Sequence, residues 1–299
     1  NQFHGSVFEF LRNNRLDAAN FFDNYFSTRK PAYRQNQFGA AAGGPIRSNR
    51  LFYFGNYEGL RVRRANTVNA LVPTPEQLNG NLAGLSSTKR DATGAPAIIN
   101  PFTGEPFPGN RIPSSLLSPV IQKFKAYIPA PNADLRGVNL VSTPTTRRDE
   151  NQFTTRIDAN LTARDTLFGR YTWYKSELML PGYAQYYGTS IPYRGQSASV
   201  QETHTFTPRL VNVLTVGYNR GINLTSWQNT PFNAVEQLGL RNLNPRPGEY
   251  GLPTIVTAGW SNMGPSIFIG GGIGNIYQIV DSASWTAGTT ASWGGAGVG

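Results

Sequence analysis

The sequence predicts an all-β, antiparallel fold on three observations. Apolar and polar residues alternate with period two over several stretches of about ten residues. The connections between those stretches run alternately long and short. The composition is poor in charge and rich in rings: charged residues make up 15% and aromatics 12%, with 32 Gly, 21 Pro and no Cys. Without Cys there is no disulfide framework, no Cys-ligated zinc and no Cys nucleophile. No apolar run is long enough for a bilayer-spanning helix. The formal net charge is +10, and residues 1–64 carry most of the excess, with ten Lys/Arg against four acids. That balance suits nucleic acid or an anionic membrane surface and does not choose between them.

The elements follow in order. In 3–12, Phe3, Val7, Phe10 and Leu11 fit a helical stripe as well as a strand, and Leu16 to Phe22 reads helical by propensity. Strands are expected at 34–43 and 51–63, around the turn signal Gly43-Gly44-Pro45-Ile46-Arg47-Ser48-Asn49-Arg50. The clearest alternation is 151–161: Phe153, Thr155, Ile157, Ala159 and Leu161 oppose Thr154, Arg156, Asp158 and Asn160. After the tight turn Ala163-Arg164-Asp165 the chain returns as 166–176, with Leu167, Gly169, Tyr171 and Trp173 on one face. A second hairpin joins 197–206 to 211–222 through Thr207-Pro208-Arg209-Leu210, where Pro suits the turn and not a central strand. The last expected strand is 275–285.

The gaps at 13–33, 64–150, 177–196 and 223–274 are long; those at 44–50, 162–165 and 207–210 are short. All long connections therefore fall at one end, as in outer-membrane barrels, whose periplasmic turns are short and extracellular loops long. A tilted strand needs about 9–11 residues to cross the hydrocarbon. A secreted β-sandwich that binds a ligand or glycan is the open alternative. The connection 64–150 holds eleven of the 21 Pro, which stiffen it, and Ser118 to Tyr127 is expected to form a short helix inside it. The chain thus divides into 1–63 (first barrel strands), 64–150 (Pro-rich extracellular loop), 151–222 (two hairpins), 223–274 (extracellular loop) and 275–299 (a strand and a Gly-rich tail).

Several ordered blocks carry a family resemblance. They are Asn1-Gln2-Phe3-His4-Gly5-Ser6-Val7-Phe8-Glu9-Phe10-Leu11-Arg12-Asn13, Arg34-Gln35-Asn36-Gln37-Phe38-Gly39, Gly43-Gly44-Pro45-Ile46 and Phe52-Tyr53-Phe54 with Tyr57-Glu58-Gly59. Further along come Asn151-Gln152-Phe153, Arg156-Ile157-Asp158, Thr207-Pro208-Arg209-Leu210-Val211-Asn212 and Gly217-Tyr218-Asn219-Arg220. Together they resemble the start of the barrel in Oar-like TonB-dependent outer-membrane transporters, the acidobacterial receptors with a carboxypeptidase-regulatory-like domain. The resemblance covers most of 1–222. It implies that 3–12 is the first barrel strand, and that these eight or so strands are part of a larger, plugged barrel of 22 strands. It also implies energy-coupled uptake of a bulky solute, with an inner-membrane coupling protein as partner. Signal peptide, plug and energy-coupling box are missing from these residues, so a fragment is expected, and its charge-free tail is suspected not to be native sequence.

No catalytic constellation, cofactor or metal site is expected, and the reading is of a non-enzyme. His4 and His204 are the only His and lie on different strands. Asp158 and Asp165 flank one turn and read as turn chemistry. The run Arg61-Val62-Arg63-Arg64 is placed at the outer rim, facing the bilayer and lipopolysaccharide phosphates and not nucleic acid. Arg156, Asp158, Asn160 and Arg170 are expected to line the lumen, and Phe102, Phe107 and Tyr127 to capture the ligand. Tyr57, Tyr171, Trp173 and Tyr218, near the outer strand ends, are expected to form an aromatic girdle.

Overall fold

The computed structural model describes residues 2–19, 21, 25, 30–85, 89, 91, 93–95, 97–228, 233–244, 250–265 and 269–287. Eight long strands form one antiparallel sheet. They are β1 (His4–Asn13), β2 (Tyr33–Arg47), β3 (Leu51–Ala65), β6 (Thr145–Asn160), β7 (Asp165–Leu180), β8 (Thr189–Thr207), β9 (Leu210–Trp227) and β10 (Gly270–Trp285), paired in that order. The short β4 (Val68–Ala70) and β5 (Leu140–Ser142) pair separately within the long connection 66–144. The eight-stranded sheet is not closed, and β1 and β10 are its edges.

Each expected strand overlaps an observed one, but most extend further at the long-connection end. There the clean alternation decays: β7 continues through Lys175, Glu177 and Met179, and β8 begins at Thr189. Pro192 sits inside β8, where it has no N–H to give. Pairing with β9 accordingly skips from Ser190↔Ser226 to Tyr193↔Asn223. The third long connection shrinks to 181–188. Leu16 to Ala19 forms a turn and coil, whereas Phe21, at the far end of the expected helix, is helical. The Asn13 side-chain and backbone oxygens accept from Arg15 N and Leu16 N, and Arg12 pairs with Asp17 at 3.0 Å. Asn20 and Phe22 lie outside the described residues, as does the tail 288–299. Ser118 to Tyr127 is helical as expected, as the short helix Pro119–Phe124 and a 3₁₀ turn, Lys125–Tyr127.

The register gives the sheet two unlike faces. One row reads Val7, Ala40, Tyr57, Phe153 and Trp173; the next but one reads Gly5, Ala42, Gly55, Thr155, Tyr171, Ala198, Tyr218 and Tyr277; beyond it stand Tyr53, Ile157, Val200, Val216 and Ile279. This face carries a continuous apolar band, and Val7, Ile157, Val200 and Ile279 on it are exposed. The alternate rows hold Ser6, Gln37, Asn56, Thr154, Thr172, Ser197, Asn219 and Gln278, with Phe8, Phe54 and Phe168 among them.

The three short turns are staggered. The row of Leu51, where the β2–β3 turn ends, reaches Leu214 on β9, whereas the β8–β9 turn closes at Leu210, four residues lower and four strands away. One residue per strand at 3.3 Å rise and 4.8 Å spacing corresponds to a tilt of about 35°, the value of barrel walls.

The buried core lies elsewhere. Every buried hydrophobic among the described residues falls outside the eight-stranded sheet. Phe124, Tyr187, Ala234, Leu238, Leu252 and Met263 form one cluster, and Ala70, Val72 and Leu140 a second that shares Ile128 and Tyr183 with it. Three connections (66–144, 181–188 and 228–269) thus pack into one cap at the long-connection end. Three short helices serve it: α1 (Pro75–Leu78), α2 (Pro119–Phe124) and α3 (Ala234–Leu238). α1 begins with a capping box in which Thr74 and Gln77 satisfy each other's backbone N–H. α3 is capped by Asn233 and ends at Gly239, whose φ of 74° suits Gly. Ser261 N donates to Leu71 O at 2.8 Å and Leu71 N to Ser261 Oγ at 3.0 Å, which ties the first connection to the last.

Candidate functional site

The residues expected to line a lumen all lie on the polar face. Arg156 and Asp158 form an ion pair of 2.6 Å, and the Arg156 guanidinium stands 4.2 Å from the Phe168 ring centroid. Arg170 is directly opposite Arg156 across the β6–β7 ladder and is exposed. Asn160 stands at the turn end, where Nδ2 donates to the Asn49 carbonyl at 3.0 Å. The first three form one charged patch; the fourth clasps two turns together.

Tyr57, Tyr171, Trp173 and Tyr218 all lie on the apolar face. Because the strands are longer than the alternation indicates, these rings stand near mid-strand and not at the outer ends. Each of three is followed outward on its own face by a polar or cationic step: Tyr57 by Gly59 and Arg61, Trp173 by Lys175, Tyr218 by Arg220. The Tyr57 hydroxyl donates to Asn151 Oδ1 at 2.7 Å and the Tyr218 hydroxyl to Asn275 Oδ1 at 2.9 Å, so the polar tips are anchored.

The loop aromatics divide. Phe102 is 83% exposed. Phe107 is buried. Tyr127 packs beside Phe124 and Tyr186 with ring centroids 6.1 and 6.2 Å away, and its hydroxyl reaches Gln237 Oε1 at 3.4 Å. Phe102 is thus the exposed ring of the three, while Tyr127 packs with Phe124 and Tyr186 in the cap's larger cluster. Tyr183 and Tyr187 join them there; burial pushes the Tyr183 phenol up to about 12 and raises that of Tyr187 as well.

Alternation places Asp158 and Asp165 on opposite faces, so they cannot act on one substrate atom. Instead Asp165, Glu202 and His204 converge on the apolar face beside the β6–β7 turn, with one ligand atom from each within 4.8 Å of the others. His204 Nδ1 lies 2.5 Å from Asp165 Oδ1, and Thr162 Oγ1 engages the other oxygen. With both Asp165 oxygens engaged, by His204 and Thr162, the contact reads as a hydrogen-bonded closure of the turn. Sequence inspection missed it because cross-strand neighbours are visible only once the register is known. The cap cluster was missed for the same reason: Val72, Phe124, Tyr187 and Leu252 are far apart in sequence and share no period.

No curated protein and no solved structure matches the chain. A family model described as an outer membrane beta barrel domain matches residues 1–296. The two-faced sheet, the one-sided long connections and the staggered turns agree with that match, and a sandwich, which needs a second packed sheet, is not favoured. The chain belongs to the outer membrane beta barrel domain family, and its place is the bacterial outer membrane.

Proposed function

We propose that the chain forms wall and outer cap of a TonB-dependent, Oar-like receptor that takes up a bulky solute and catalyses no reaction. The observation that carries this reading is the pairing of the sheet's two faces with a folded cap at one end only. The apolar face, with Val7, Ile157, Val200 and Ile279, faces lipid; the polar face, with Arg156, Asp158, Asn160 and Arg170, faces the lumen. The cap stands outside the cell, and its exposed ring Phe102 is a first contact for solute. A cap with its own buried core can hold a recognition surface in fixed shape, which a set of separate loops cannot.

The energy-coupled step rests on the resemblance of the blocks in 1–222 to TonB-dependent transporters, and the coupling partner with it. The test is uptake from a panel of bulky solutes by cells that carry the protein, with and without the inner-membrane coupling protein. Loss of uptake of the same solutes on removing either component is expected. Uptake unchanged without the coupling protein, or after collapse of the proton gradient, would sink the coupled-transport reading.

A further inference from the structure

The run Arg61-Val62-Arg63-Arg64 is split by strand alternation. Arg61 and Arg63 share the apolar face with Tyr57, whereas Arg64 and, across the ladder, Arg148 belong to the opposite face. More cations join Arg61 on its face. The row of Arg61 reaches Glu177 on β7, two residues beyond Lys175, and the row of Lys175 reaches Ile222 on β9, two residues beyond Arg220. Arg61, Lys175 and Arg220 therefore descend the register by two residues for every two strands. That is the slope set by the short turns, so a line oblique in the sheet is level in the membrane. Arg34 and Arg194, both exposed, flank the same line.

The collar holds more positive charge than its neighbours neutralise. Lys175 is paired with Glu177 at 2.6 Å, whereas Arg63 and Arg147 share the single carboxylate of Asp149, each at 2.6 Å. Arg61 donates to the Leu60 and Glu150 carbonyls and to Asn151 Oδ1, which are all neutral, and lies 5.5 Å from the Phe38 ring centroid. Its guanidinium is thus held in place without an anion among these partners. Immediately inward lies the apolar band, entered through Tyr57, Phe153 and Trp173. A level of cations above a band of rings and aliphatic groups complements an amphiphile with an anionic headgroup and acyl chains.

We propose that this collar is a docking surface for lipopolysaccharide of the outer leaflet, with phosphates on Arg61 and Arg63 and acyl chains against the Tyr57–Phe153–Trp173 belt. The proposal rests on the assignment of the apolar face to lipid and of the long connections to the cell exterior. Guanidinium suits phosphate because its fork of donors matches the oxygens in pairs.

The experiment uses the full protein in detergent micelles, with bisphosphorylated lipid A as probe and its dephosphorylated form as comparison. Arg61→Gln with Arg63→Gln is expected to weaken lipid A binding by about tenfold or more, since the charge-assisted hydrogen bonds to phosphate are lost. Arg64→Gln with Arg148→Gln, on the other face, is expected to leave binding unchanged. Equal losses in both pairs, or equal binding of the dephosphorylated lipid, would overturn the proposal. Spin labels at Ile157→Cys and Thr154→Cys test the underlying face assignment separately: the first should be relaxed by lipid-dissolved oxygen and the second by a water-soluble reagent. If that pattern holds and the collar variants still bind normally, the docking surface alone is refuted. If the pattern reverses, the face assignment falls and the docking surface falls with it.

Discussion

At Gly39 an added Cβ would stand 2.6 Å from both the Phe8 ring and the Tyr57 carbonyl oxygen, and the second of these belongs to backbone that cannot swing away. Gly169, in the same sheet, would meet nothing within 4 Å. Gly39→Val is therefore expected to cost about 1–3 kcal/mol, while Gly169→Val stays near neutral. Urea midpoints of the refolded protein in detergent distinguish them. In the cap, the Tyr187 hydroxyl is buried with no hydrogen-bond partner among the described residues, and burial pushes the Tyr183 phenol from an ordinary 10.0 up to about 12. Both phenols have raised pKa values in the folded state. Between pH 10 and about 12 the unfolded chain releases protons that the folded cap retains, so cap stability is full below that window and falls as pH rises through it. Tyr183→Phe with Tyr187→Phe should flatten this alkaline loss, read by protease susceptibility of the cap across pH. Tyr187→Phe alone should be neutral or stabilising at pH 7, because it removes an unsatisfied buried donor. None of these properties is visible in the sequence, where Gly39 and Gly169 are simply two strand glycines and Tyr187 one of 14 Tyr. The neighbour that decides each case comes from another element.

Among the elements, the strands follow from local rules and the cap does not. Thr154, Arg156 and Asp158 against Phe153, Thr155 and Ile157 state a strand and its faces by alternation alone, and Pro208 marks its turn. The outer ends of β7 and β8 escape that logic: Lys175, Glu177, Thr189 and Pro192 are poor strand signals, and neighbouring strands supply the ladder that holds them. Within the cap, Asn139 imitates a strand partner. Its Nδ2 donates to the Val72 carbonyl at 2.7 Å and its Oδ1 accepts from Val72 N at 2.8 Å, serving the backbone of a fully buried residue. Asn139→Ala leaves both groups unsatisfied and is expected to cost the cap about 1–3 kcal/mol. Faster nicking of the 66–144 connection, with the sheet still folded in detergent, is the expected sign. Unchanged nicking would show that the second cluster of the cap, with Ala70 and Leu140, does not need this clasp.

The whole molecule is organised around an inversion: the sheet leaves its apolar face open and the loops carry the buried core. In water such a face would aggregate; in a bilayer it is solvated, and the cap outside must supply its own hydrophobic cluster. Orientation is then testable on whole cells. Phe102→Cys, exposed in the cap, should react with a membrane-impermeant thiol reagent, and Arg209→Cys, in the β8–β9 turn, should not. The reverse pattern would invert the proposed topology and, with it, the collar's access to the outer leaflet. The open backbone edges of β1 and β10 must also be paired in lipid, because hydrocarbon offers no alternative hydrogen bonds.

By itself the sequence determined the class of fold, the inner part of most strands after the first, and that the long connections share one side. Period-two alternation, turn residues and gap lengths are local quantities, and the face of each strand follows from them residue by residue. Only the tertiary structure decided how those faces align. The register set the one-residue stagger, turned Arg61, Lys175 and Arg220 into a level and brought His204 to Asp165, and packing buried Phe107 and set Tyr127 against the cap core. Each of these depends on pairs far apart in the chain, whose meeting is fixed by hydrogen-bond register and packing and leaves no period along the sequence.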